Sequence, residues 1–118
     1  MEEQLYYYQS RVINVYDGDT VRADIDLGLS VWVNNEKLRL ARINAPELRG
    51  EEREAGLAAR DFLRSQVLDK EIIVETLKDR KGKYGRYLAE LWVKGEDGEY
   101  LNVNDLMVQK GHAKYQAY

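Results

Sequence analysis

Apolar and polar positions alternate through most of the first forty residues, then switch to a spacing of three and four. Residues 10–16, SRVINVY, are rich in β-branched side chains and stop at Asp17-Gly18, a pair that predicts a hairpin turn. Residues 20–26, TVRADID, place Val21, Ala23 and Ile25 on one face of a second strand. GLS then reverses the chain. VWV and KLRLARI (37–43) read as strand again, with Asn34-Asn35 interrupting them. These segments predict a meander of three strands.

Beyond Pro46 the period changes. Ala55, Ala58, Ala59, Phe62, Leu63 and Val67 fall on one stripe of an amphipathic helix over roughly 51–68. Glu51, Glu52 and Glu54 suit the positive end of its dipole. KEIIVETL (70–77) and RYLAELWV (86–93) predict a fourth and a fifth strand, followed by a tight turn at GEDGEY. Asn102 can cap a short helix that runs through Lys110 and stops at Gly111. The expected fold is α+β and mainly β: a five-stranded OB-type barrel with two or three packed helices, in one domain over 1–118.

Composition narrows the chemistry. The absence of cysteine removes disulfides, thiolate catalysis and cysteine metal sites together. No apolar run reaches membrane-spanning length, and the polar start MEEQLYYYQS lacks a signal-peptide pattern, so a cytoplasmic location is the expectation, with a monomer as the default state. A net charge of −3 means that a polyanion must be held locally. KDRKGKYGR (78–86) is the one strongly basic segment. On composition alone it is a solvated hairpin loop.

Polar residues gather at the strand ends. Asp17 and Asp19 flank Gly18 before the second strand, while Asn44 and Glu47 follow the third. Antiparallel neighbours bring the start of one strand beside the end of the next, so both clusters can meet at one barrel rim. Arg39 and Arg42 differ in parity and cannot share a face, which leaves one of them for that rim. Oxygen ligands beside arginine suit a hard divalent cation and a phosphate. An EF-hand is excluded, because DGDTVRADID lacks its glycine and its closing glutamate.

DGDT, RLARINAPE, KYGRYLAEL and NVNDLMVQKGHA, in this order and spacing, resemble the staphylococcal-nuclease-like, or thermonuclease, family from about residue 10 onward. The resemblance implies an OB barrel and an endonuclease that cleaves DNA and RNA phosphodiesters with Ca²⁺, leaving 3′-phosphates. It implies metal ligation by Asp19, Asn44 and the Ala45 backbone carbonyl. Glu47 would activate the attacking water, and Arg39 and Arg86 would grip the phosphate. Tyr84, Lys83 and Lys81 would contact nucleic acid, with Asp17 a turn residue behind the ligands.

The chain departs from the family at Asn44, where the active enzymes carry aspartate. An amide oxygen ligates calcium but brings no charge. A unit charge pair about 4 Å apart at an effective dielectric of about 20 is worth roughly 4 kcal/mol, so weaker calcium binding is expected. Gly82 replaces a frequent aspartate, and the further C-terminal helix of many relatives does not follow Tyr118. The alternative function is a catalytically weak or inactive barrel that binds nucleic acid or protein. His112 and Tyr6–Tyr8 read as packing residues, whereas Tyr115 and Tyr118 are candidates for stacking bases.

Overall fold

The computed structural model describes residues 6–81 and 86–116. β1 (Tyr7–Asp17), β2 (Thr20–Asp26) and β3 (Trp32–Leu40) form the expected antiparallel meander. β2 keeps its predicted bounds because its alternation is strict, with Val21, Ala23 and Ile25 buried and Arg22, Asp24 and Asp26 half-buried. β3 is one strand rather than two. Asn35 adopts a φ of 57°, and the pairing with β2 shifts between Ala23 and Ile25. This bulge absorbs the asparagine pair without ending the strand, and asparagine tolerates the left-handed conformation better than most residues. The strand ends at Leu40, short of the predicted Ile43. Arg42, at a φ of 68°, turns the chain into the two-residue β4 (Ile43–Asn44).

After α1 (Arg53–Val67), β5 (Glu71–Lys81) pairs with β1 and with β6 (Tyr87–Lys94). β6 closes the barrel on β3 in a parallel register from Leu38↔Tyr87 to Leu40↔Ala89. Closure removes the exposed sheet edge that an open five-stranded layout would leave. The result is the mainly β, OB-like α+β barrel with two helices. β7 (Tyr100–Asn102) extends from β6, and β4 pairs with β8 (Lys114–Tyr115). No helix among the described residues is long and apolar enough to cross a membrane.

The core fills the barrel and the space under α1. Leu38, Leu40, Ile43, Leu63 and Leu91 are fully buried, each contributing on the order of 1.5–3 kcal/mol. α1 buries a narrower stripe than its hydropathy predicts: Gly56, Ala59, Leu63 and Val67 face inward, while Ala55 and Ala58 are exposed. The predicted start is also corrected, since Gly50–Glu52 forms a 3-10 turn before the α-helix begins. Gly56 explains the tilt of the buried stripe. A Cβ there would land on the carbonyl oxygen of Glu47 and 3.0 Å from that of Pro46, so helix backbone lies directly on loop backbone.

α2 (Val103–Gln109) begins as predicted, with the Asn102 side chain accepting from the Asp105 amide at 2.9 Å. Asn104 is fully buried beneath it. Its oxygen accepts from Leu91 N (3.1 Å), and its nitrogen donates to Ala41 O (3.0 Å) and Ala89 O (2.9 Å). One side chain therefore satisfies three backbone groups beside the seam where β3 and β6 meet.

Candidate functional site

Strand register brings the two reversals together. Thr20 lies opposite Arg39, and Leu40 N donates to Asp19 O at 2.8 Å. The Asp17–Asp19 turn is packed tightly against its neighbours. A Cβ on Gly18 would sit 2.7 Å from that of Ala45 and 2.8 Å from that of Ala59. Glycine is needed here for space, which lets the turn, the loop after β4 and α1 converge.

Asp19 is buried at the centre of this convergence. Its Oδ2 accepts from Ala45 N (2.8 Å), its Oδ1 accepts from Thr20 Oγ1 (3.2 Å), and Arg39 Nη2 lies 3.4 Å from Oδ2. Arg39 Nη2 also donates to Asn44 Oδ1 at 3.3 Å, so one cationic nitrogen joins both oxygens. Arg39 Nη1 donates to Leu40 O (2.7 Å) and Ile43 O (3.0 Å), which anchors the guanidinium inside the mouth. Asp17 Oδ1 accepts from Asp19 N at 3.0 Å and fixes the turn. Burial, then the charge of Asp19, push the Asp17 carboxyl up to about 6 against the pull of Arg39.

Arg86 joins the cluster through Thr20, whose Oγ1 accepts from its Nη1 at 3.3 Å. Glu47 projects from the following loop. Its amide donates to Glu52 Oε2 at 2.9 Å, and its exposed carboxylate accepts from Arg49 Nε at 3.1 Å. Two hollows share Tyr16 and Asp17 as a wall: one holds Glu47 and Arg49, the other Thr20 and Arg86. Asn44 and Ala45 line a third, beside His112 and Lys114.

The structure therefore links Asp17, Asp19, Arg39, Asn44, Ala45 and Arg86 through one bonded cluster around Asp19 and Thr20, which opens into separate hollows on the Arg86, Glu47 and Asn44 sides. Lys83, Tyr84 and the side chain of Lys81 lie outside the described residues. Of the two arginines of opposite parity, Arg39 faces the mouth. Arg42 makes a two-pronged pair with Glu90 (2.7 Å twice) and reaches Asp105 at 3.0 Å. Tyr115 Oη donates to the same Asp105 oxygen at 2.9 Å, and its ring faces the Arg42 guanidinium at 5.9 Å, so it latches the C-terminal segment. Burial raises the Asp105 carboxyl, but the hydrogen bonds from Arg42 and Tyr115 outweigh it and hold the group below the usual range. His112 packs, stacked on Phe62 with ring centroids 4.8 Å apart.

The sequence did not single out Thr20, Arg49 or Gly56 for the site. Thr20 stands inside DGDT, where its proximity to the aspartates was the available signal. Gly56 carries no hydropathy, and its role depends on a contact with a loop nine residues earlier.

The donors at the mouth are oxygens, the chemistry that a hard cation takes. Among the described residues no three His, Cys, Asp or Glu groups gather at one point. Asp19 supplies a carboxylate and Asn44 an amide oxygen, a sparse set that suits weak ligation of a hard cation.

A family model described as Staphylococcal nuclease homologue matches residues 37–118. Thermonuclease of Staphylococcus hyicus is 29% identical over 119 residues, covering 98% of this chain and 62% of the relative. Uncharacterized protein MJ1439 of Methanocaldococcus jannaschii is 26% identical over 129 residues, covering 92% of this chain and 59% of the relative. The chain thus spans less than two thirds of the length of either curated relative.

Proposed function

The chain belongs to the staphylococcal nuclease homologue family, and from that premise we propose that it is a Ca²⁺-dependent nuclease hydrolysing phosphodiesters of DNA, RNA or both. One observation carries the reading: Arg39 is held between Asp19 and Asn44 at the mouth that Arg86 enters through Thr20. Attack on a phosphodiester builds charge on its nonbridging oxygens, and fixed guanidinium groups stabilise that charge better than mobile water does. A planar fork such as that of Arg86 can meet two phosphate oxygens at once, whereas Arg39, with both Nη atoms engaged by Leu40, Ile43, Asn44 and Asp19, contributes its fixed charge. Asp19, Asn44 and the Ala45 carbonyl are the residues assigned to hold the ion. When bound, Ca²⁺ supplies Lewis-acid stabilisation of the phosphoryl oxygens. Glu47, exposed beside Asp17, takes the proton of the attacking water.

A second reading rests on Arg39 itself. Its Nη1 is taken up by two backbone carbonyls, an arrangement suited to a barrel that binds nucleic acid or protein without cleaving. Incubating single-stranded DNA and RNA with the protein in Ca²⁺, in Mn²⁺ and in chelator separates the two. Metal-dependent degradation is expected. Substrate that is bound but intact in Ca²⁺ would favour the binding module, and cleavage unchanged by chelator would remove the metal from the mechanism.

The neutral ligand gives a further test. Asn44→Asp restores one negative charge beside Asp19 and is expected to tighten calcium binding by about tenfold or more, measured by calorimetry. Weaker binding in the variant would mean that residue 44 does not touch the ion.

A further inference from the structure

The hollow on the Arg86 side of Tyr16 and Asp17 has a volume of about 580 Å³ and continues outward past Arg22 and Lys37. Neither residue is needed for the chemistry proposed above. Register places Arg22 opposite Asn14 on β1 and opposite Lys37 on β3, a row across three strands. Thr20 and Arg22 share a face of β2, about 6.8 Å apart along the strand. The cations therefore advance from Arg86 at Thr20 to Arg22 with Lys37. Arg22 Nη1 donates to Asn35 O at 3.0 Å, which holds its head in place and leaves Nε and Nη2 for other partners. Among the described residues neither Arg22 nor Lys37 is in an ion pair.

The row also has an end. The next outward residues of β2 are Asp24 and Asp26, so its sign reverses one step beyond Arg22. Tyr16, 65% exposed, stands on the wall of the hollow as a flat apolar surface.

Building on the nucleic-acid reading of the mouth, we propose that Arg22 and Lys37 form a second phosphate-binding step, each cation meeting its own phosphate. It takes the backbone of a single-stranded nucleic acid to one side of the scissile position, with a base stacked on Tyr16. Net negative charge makes such a local track necessary, because the protein as a whole repels a polyanion. Stacking on Tyr16 needs an unpaired base, which selects single strands. The reversal at Asp24 limits the track to about two phosphates beyond the reactive one.

Binding of labelled thymidine oligonucleotides in chelator, followed by anisotropy over a salt series, tests this without cleavage. Each phosphate contact on a single strand contributes about −0.7 to the slope of log K against log salt. Arg22→Gln with Lys37→Gln is expected to flatten the slope by about 1.4, while Arg22→Lys with Lys37→Arg retains it. Affinity should rise as phosphates are added and level off, and Tyr16→Leu should erase the preference for single strands over duplex. A full slope in the double glutamine variant, a parent that does not bind at low salt, or equal binding of duplex by the parent overturns the proposal. The hydrolytic reading fails separately: a parent that binds with this slope but cleaves nothing in Ca²⁺ rejects catalysis and leaves the track standing.

Discussion

Glu47→Gln is expected to lower hydrolysis by about 10²- to 10⁴-fold, the range that a positioned general base contributes, while leaving thermal stability nearly unchanged. The contrast follows from exposure. The Glu47 side chain is 64% exposed and its ion pair with Arg49 is also at the surface, where such pairs contribute little. Glutamine keeps the shape and still accepts a hydrogen bond from Arg49, but it cannot take a proton from water. Arg39 offers no such clean probe. Removing it would leave the buried Asp19 carboxylate unpaired and two backbone carbonyls without their donor, a loss of about 3–5 kcal/mol in stability. Turnover and melting curves measured side by side decide the matter. A Glu47→Gln enzyme within a few-fold of the parent would strip the residue of its role as base.

Asn104→Ala is expected to be among the most damaging single truncations for stability. The side chain is wholly buried, and its removal takes their side-chain partner from Leu91 N and Ala41 O and one of two donors from Ala89 O. Ala89 O keeps one donor, since Ala41 N reaches it at 2.8 Å, so the penalty falls mainly on the other two groups. At about 1–3 kcal/mol for each, the loss is about 4 kcal/mol, a large share of the 5–15 kcal/mol that holds a typical domain together. Urea unfolding should show a midpoint lowered by about 2 M with an unchanged slope. A loss below about 1 kcal/mol would mean that the seam between β3 and β6 tolerates open hydrogen bonds.

Legibility in the sequence followed the reach of each interaction. β2 was readable to the residue because alternation is a local property and nothing interrupts it. The bulge at Asn35 was misread as a break, since the neighbouring strand that carries the pairing across it is invisible in a one-dimensional pattern. Ala55 and Ala58 joined the predicted stripe on hydropathy, yet the helix is rotated toward Gly56 by a loop it touches. β4 and β8 are two residues long and leave no periodic trace. At the site, the DGDT and INAPE segments were legible as chemistry, and antiparallel topology predicted their meeting. What the sequence did not reveal was the inward anchoring of Arg39, which depends on the turn at Arg42 presenting two carbonyls.

The bare contact between Gly56 and the Glu47 carbonyl ties the position of the proposed base to the seating of α1. No side chain fills the space between the two backbones, so any lift of the helix takes away the support beneath the loop that carries Glu47. Heat that loosens α1 should therefore silence turnover several degrees before the barrel itself gives way, and a transplanted helix would have to bring its own glycine.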